Sequence, residues 1–467
     1  MITGRRSRAG AMSAVGVLSL AAVALQGCAS GPAPSGPIVS PTGIVYDEGT
    51  PPVETRLSQT ATLFLRRDVS ERALEMALQG VDEDPGNPVH YFLAGVAYAR
   101  LGLYRDADRM YSEAQRIFPA YELAVEPERE AAWGAAFNAG LASYEEGDVE
   151  SALAAWRRAA LIFDLRPEAH RNLAALLTAE QELDEAIAVY RAGLEGLEKR
   201  PATREMDAVE LQYREGVRDD LQESLTRLLL ATGRFADAEP VIRQRLSLDP
   251  TSVPLRVDLA ASLAGQGRPE DASEIHRVLL FEEGLSATEL FTLGIALFRS
   301  SDYVPAAAAF GRLTDVQPES RDAWFNYVNA LFAGEDWSGL VEAGARLLEL
   351  DPLGESARLV SARAHLETGD AAGAMRQIEA ADAAPVHVDE LQLQRGRSRS
   401  SVSGRITGNA AEPGTSIRLR FVFYDEAGTE VGTSDTPALR APAPGLTDRF
   451  EVSFPMSASA YRYEVLP

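Results

Sequence analysis

Apolar positions recur at three- and four-residue spacings from residue 56 to residue 382, in paired runs separated by short polar or glycine breaks. That is the pattern of amphipathic helices joined two by two. Pro88 to Tyr121 shows it most fully, with Tyr91, Gly95, Tyr98, Leu101, Gly102, Tyr104, Ala107, Tyr111, Ala114 and Pro119. The same arrangement returns on a ladder of small residues. Its rungs are Ala73, Ala107, Ala152, Ala186, Ala238, Ala272, Ala306, Leu340 and Ala374, evenly spaced but for two longer steps, Ala107 to Ala152 and Ala186 to Ala238. The two surpluses, near 121–132 and 193–220, predict longer helices or loops. Beyond residue 400 the period changes to two. Ile417, Leu419, Phe421 and Phe423 alternate with Arg418, Arg420, Val422 and Tyr424 before the turn residues Asp425 to Gly428. With further strands expected at 402–407, 449–454 and 461–466, this predicts a small β module over 400–467.

An even step of about 34 residues, with these small and aromatic places, resembles the tetratricopeptide repeat (TPR). The resemblance implies a mainly α fold: a solenoid of about eight to nine helix-turn-helix units over 56–382, followed by a small all-β sandwich. Gly95 and Ala107 are expected to be small because the two helices of a unit cross there. The unit around Ala73 reads as a degenerate cap. The resemblance also implies a protein-binding groove lined by the first helix of each unit. Its lining on two central units reads Phe291, Ile295 and Phe298, then Phe325, Asn326, Asn329 and Phe332. Aromatic rings can supply apolar contact there and asparagine amides can bond a bound backbone. The same phenylalanines are equally compatible with ordinary core packing. The β module, through Gly404-Arg405-Ile406, Phe423-Tyr424-Asp425, Gly428 and Phe450-Glu451-Val452, resembles the FxLyD-type immunoglobulin-like domains of bacterial envelope proteins.

The first residues change the picture of where the chain works. Arg5, Arg6 and Arg8 precede an apolar run from Ala11 to Ala24, which ends in Leu25-Gln26-Gly27-Cys28. The run is short for a membrane span. It resembles a bacterial lipoprotein signal, which implies removal of residues 1–27, acylation of Cys28 (palmitate among the chains), and an outer-membrane anchor facing the periplasm. Cleavage would delete three arginines and no acid, taking the formal net charge from −24 to −27. Residues 28–55, rich in Gly, Pro and Ser, read as a flexible tether, and 383–399, with Arg395, Arg397 and Arg399, as a basic linker.

With 69 Asp and Glu against 45 Lys and Arg, nucleic-acid binding by phosphate neutralisation is disfavoured. Cys28 is the lone cysteine, so no internal disulfide forms. The histidines, at 90, 170, 276, 365 and 387, show no metal-ligand spacing, and no glycine-rich phosphate loop occurs. The chain therefore reads as a non-enzymatic scaffold without cofactor or metal, binding protein partners of the cell envelope in support of an outer-membrane, secretion or pilus assembly. The rival reading is a peptidoglycan- or carbohydrate-associated factor whose β module binds ligand through exposed Tyr461 and Tyr463.

Overall fold

The computed structural model describes residues 36–466. Cys28 and the signal-like segment lie outside them. The described residues form 18 helices followed by a small β domain. The chain divides into two compact units, Met1–Ala231 and Thr232–Pro467.

In the first unit a short hairpin, β1 (Ile38–Val39) and β2 (Val45–Tyr46), precedes nine helices. Four consecutive pairs follow it: α1 (Arg56–Arg66) with α2 (Ser70–Glu83), α3 (Pro88–Arg100) with α4 (Tyr104–Ile117), α5 (Glu122–Glu145) with α6 (Val149–Ile162), and α7 (Pro167–Ala179) with α8 (Leu183–Glu198). The unit ends in α9 (Ala208–Ala231). Thr55 and Ser58 form a capping box at α1, and Asn87 with Pro88 opens α3. Both surpluses of the ladder become helix. α5 and α9 each run 24 residues, and the loop at 199–207 supplies the rest. The extra turns of α5 hold that loop: the buried Glu126 carboxylate accepts from the Ala202 amide at 2.6 Å and from the Thr203 hydroxyl.

The expected free tether is corrected from residue 36 onward, because its polar groups find partners on the helices. The Tyr46 hydroxyl donates to Glu122, Thr42 donates to the Ala202 carbonyl at 3.3 Å, and the Thr50 amide donates to the Ile117 carbonyl at 2.9 Å. Asn87 brackets the Val53 backbone, donating to its carbonyl and accepting from its amide.

The second unit opens with α10 (Phe235–Leu248) and continues through four pairs. These are α11 (Val253–Gly265) with α12 (Pro269–Phe281), α13 (Ala287–Arg299) with α14 (Tyr303–Val316), α15 (Arg321–Ala333) with α16 (Trp337–Leu350), and α17 (Glu355–Glu367) with α18 (Ala371–Asp382). Glycine at the crossings makes room for an aromatic ring: a Cβ on Gly95 would stand 2.6 Å from Tyr111, and one on Gly294 2.5 Å from Phe310. The turn inside each pair requires a left-handed residue. Glycine fills it at 102, 147, 267 and 369, whereas Asp68, Gln181, Ser301 and Glu335 adopt it at φ of 57, 64, 63 and 56°.

The β domain has a three-stranded sheet ordered β3-β4-β8 and a second sheet in which β5 carries β6 and β7 on one side and β9 on the other. The strands are β3 (Val386–Arg395), β4 (Ser400–Gly408), β5 (Ser416–Tyr424), β6 (Glu430–Asp435), β7 (Leu439–Arg440), β8 (Thr447–Phe454) and β9 (Ala460–Leu466). Most of the expected 383–399 linker is thus strand β3. A bulge between Asp389 and Gln392, with Glu390 at φ 54°, interrupts its alternation and hid it from a period-two reading.

Candidate functional site

Within the second unit, three positions on each first helix return once per repeat: Val257, Phe291, Phe325 and Leu359; Ala261, Ile295, Asn329 and Arg363; Ala264, Phe298, Phe332 and Leu366. They form a largely apolar strip. Phe291 is 39% exposed, Phe332 40%, Leu359 49% and Leu366 54%. Each of three phenylalanines leans on an aromatic ring of its own unit's second helix. Phe291 meets Phe310 at 6.3 Å between centroids, Phe298 meets Tyr303 at 5.3 Å, and Phe332 meets Trp337 at 5.6 Å, all edge to face. The rings are therefore held from behind while an edge stays open to solvent.

The other sequence-derived lining residues fare differently. Ile295 and Asn329 are half-buried. Asn326 spends its amide on the Asp322 carbonyl of its own helix, 2.7 Å away. Phe325 is half-buried beneath the Arg321 guanidinium, 4.4 Å from the ring centroid. Leu359 and Leu366 escaped the sequence reading, although one further repeat on from Phe325 and Phe332 reaches both.

One end of this strip meets the β domain. The turn between β5 and β6 sits at the start of α13, where Glu426 accepts from the Thr288 amide at 2.9 Å and from its hydroxyl at 2.7 Å. A carboxylate is favourably placed at a helix N-terminus. Behind it lies a closed polar seam. Arg321 pairs with Asp351 at 2.7 Å and with Asp322 at 3.1 Å, and the Tyr463 hydroxyl donates to Asp351 at 2.6 Å while accepting from the Leu353 amide at 3.0 Å. Tyr461 donates to Asp322 at 3.1 Å. Arg321, Asp351, Tyr461 and Tyr463 are all buried. Burial first, and the nearby carboxylates second, push both phenols far above their usual range, so they stay neutral donors.

Tyr461 and Tyr463, read from sequence as sugar-stacking platforms, have no exposed surface. They are part of the domain junction because their rings fill the β core and their hydroxyls answer the solenoid's carboxylates. The outer face of β5 is also covered here, so Val422 and Tyr424 are buried where alternation expects exposure. Two hollows of the second unit, about 320 and 400 Å³, have no strip residue in their lining and are open to solvent. The first is lined by Leu246, Leu259, Ile275 and Val278, the second by Tyr303, Ala307, Tyr327 and Asp336. Among the described residues no group of three or more His, Cys, Asp or Glu side chains could hold a metal ion, and no helix is long and apolar enough to cross a membrane.

Matches to family models agree with the repeat architecture. Two family models, both described as tetratricopeptide repeat, match residues 137–201 with 291–339 and 221–244 with 253–275. No curated protein matches the chain in sequence. Among solved structures, MamA of strain MSR-1 is 15% identical over 35% of this chain and 95% of its own, with a TM-score of 0.28. Yeast Tom70 is 11% identical over 70% of this chain and 91% of its own, with a TM-score of 0.27. The matched repeats, the exposed first-helix strip and the closed seam together make the chain a TPR solenoid, a protein-interaction fold, joined to a small β domain.

Proposed function

We propose that this protein is a lipid-anchored scaffold of the cell envelope whose second unit holds an extended or helical segment of a protein partner against its first helices. The observation that carries the reading is the open apolar strip at Phe291, Phe332, Leu359 and Leu366, repeated at the solenoid's own period. Exposed apolar surface of this kind marks an interaction site, and rings already packed from behind lose little side-chain entropy on binding. The lipoprotein-like Leu25-Gln26-Gly27-Cys28 supports acylation of Cys28 and an outer-membrane, periplasm-facing location. A role in building an outer-membrane, secretion or pilus complex fits that placement. The β domain, read as FxLyD-type, braces the solenoid beside the strip. Burial of Tyr461 and Tyr463 removes the sugar platform on which the carbohydrate reading relied.

The test is a photo-crosslinking amino acid placed in cells at Phe332, and separately at Val304, which is 71% exposed on a second helix. A discrete protein adduct from position 332, missing from position 304 and abolished by Leu359→Ala with Leu366→Ala, is expected. Equal adducts from both positions would remove the strip from the account.

A further inference from the structure

The hairpin at the start of the first unit exposes apolar side chains that a soluble hairpin would bury. Ile38, Val39, Ile44 and Val45 are 42, 56, 40 and 55% exposed. They are not loose. The Ser40 amide donates to the Ile44 carbonyl at 2.8 Å and the Ile44 amide donates to the Ser40 hydroxyl at 2.8 Å. Tyr46 and Thr42 fasten the hairpin to Glu122 and Ala202. Two short strands are marginal by themselves. Here the polar residues attach them to the body. Val39 and Val45, paired directly across the hairpin, share the face opposite Tyr46, while Ile38, paired with Tyr46, and Ile44 flank the attached face and keep partly open edges.

Chain length says what covers them. Ile38 follows Cys28 by ten positions. At full extension that stretch spans at most about 35 Å, whatever its conformation. An acylated Cys28 therefore keeps the hairpin within reach of the bilayer surface. Membrane attachment through acyl chains is strengthened by a second contact, and aliphatic side chains at the headgroup boundary supply one. Asp47 and Glu48, both exposed beside the hairpin, repel anionic lipid and select a zwitterionic surface. We infer that the Ile38–Tyr46 hairpin is a second membrane contact, inserting Val39 and Val45, with Ile38 and Ile44 at the margin, into a zwitterionic lipid interface beside the anchor. This rests on the acylation reading above, and it replaces a long flexible tether with a short leash and a seated first unit.

The experiment uses the full mature chain in phosphatidylcholine vesicles that contain brominated acyl chains, with Val45→Trp read against the wild-type tryptophan background. Quenching of the added fluorescence by at least twofold is expected, with none for Leu446→Trp, which is 63% exposed in the β domain. An unquenched Trp at 45 in a chain whose Cys28 is acylated by intact mass overturns the hairpin contact and leaves the anchor standing. If the mass shows an unmodified cysteine, the anchor reading falls. The hairpin is then judged by flotation of that chain with the same vesicles. A tenfold loss on Ile38→Ser, Val39→Ser, Ile44→Ser and Val45→Ser together sustains it, and equal flotation overturns it.

Discussion

The inner strip and the seam lie side by side in the second unit and use the same first helices, yet their chemistry is opposite. At the heart of the seam the charges answer one another: Asp351 has Arg321 and Tyr463, and Asp322 has Arg321 and Tyr461. Along the strip the surface is largely apolar, broken by Asn329 and Arg363, and outside Phe325 it is backed but not covered. Phe325 stands at the border, its ring given to Arg321, whereas Phe332 two turns on remains open. The contrast teaches that an aromatic at a groove position is available to a partner only where no charged neighbour, drawn into the seam as Arg321 is, already covers its face.

Breaking the seam should have the largest effect. Asp351→Ala leaves the buried Arg321 without its main partner and should cost about 3–5 kcal/mol, seen as a lower midpoint in chemical denaturation and faster proteolysis of the β domain. Tyr463→Phe removes one hydroxyl and should cost about 1–3 kcal/mol, so a loss as large as that of Asp351→Ala would show that the ion pair is not what holds the seam. Gly294→Ala forces a Cβ toward Phe310, the ring behind Phe291, and should destabilise the unit by about 1–3 kcal/mol while loosening the strip. Phe332→Ala with Leu366→Ala should reverse the balance: less than about 1 kcal/mol of stability, but loss of partner capture. A large stability loss would assign those side chains to core.

A smaller effect separates pH from both regions. His276 occupies the place that Phe310 fills one unit later, and neither ring nitrogen has a hydrogen-bond partner among the described residues. Burial holds its pKa below the ordinary imidazole value of 6.5. The unfolded chain therefore takes up a proton first as pH falls. Its contribution to stability is complete above that ordinary value, shrinks as pH drops below it, and stops changing once the lower folded value is passed. His90 and His170 are shifted in the same direction by burial and add to this acid sensitivity. His276→Phe should flatten the acid limb of the stability-versus-pH curve without touching the seam.

The solenoid was legible because its constraints are local and recur: the glycine under Phe310, the small rung at Ala306 and the left-handed turn at Gly267 each announce themselves within a few residues. The hairpin at 38–46 and strand β3 were not. The hairpin is held by Glu122 and Ala202, which are distant in sequence, and the bulge at Glu390 breaks the expected period of β3. The strip was half legible. Phe291, Phe298 and Phe332 follow from register, whereas Phe325 and Asn326 are claimed by Arg321 and Asp322 one turn before them, and what fixes Arg321 there is Asp351, on another unit. Tyr461 and Tyr463 looked like surface aromatics because their carboxylate partners, Asp322 and Asp351, lie far back along the chain, on other elements.

The β domain touches three successive units at matched places: Thr288 at the head of α13, Asp322 at the head of α15, and Leu353 just before α17. Those attachment points recur at close to the repeat's own interval, so they measure the solenoid as a ruler does. Duplicating or deleting one unit inside this span would carry at least one anchor point out of reach. Repeat number, which solenoids elsewhere change freely, is locked here by the domain that reads its length.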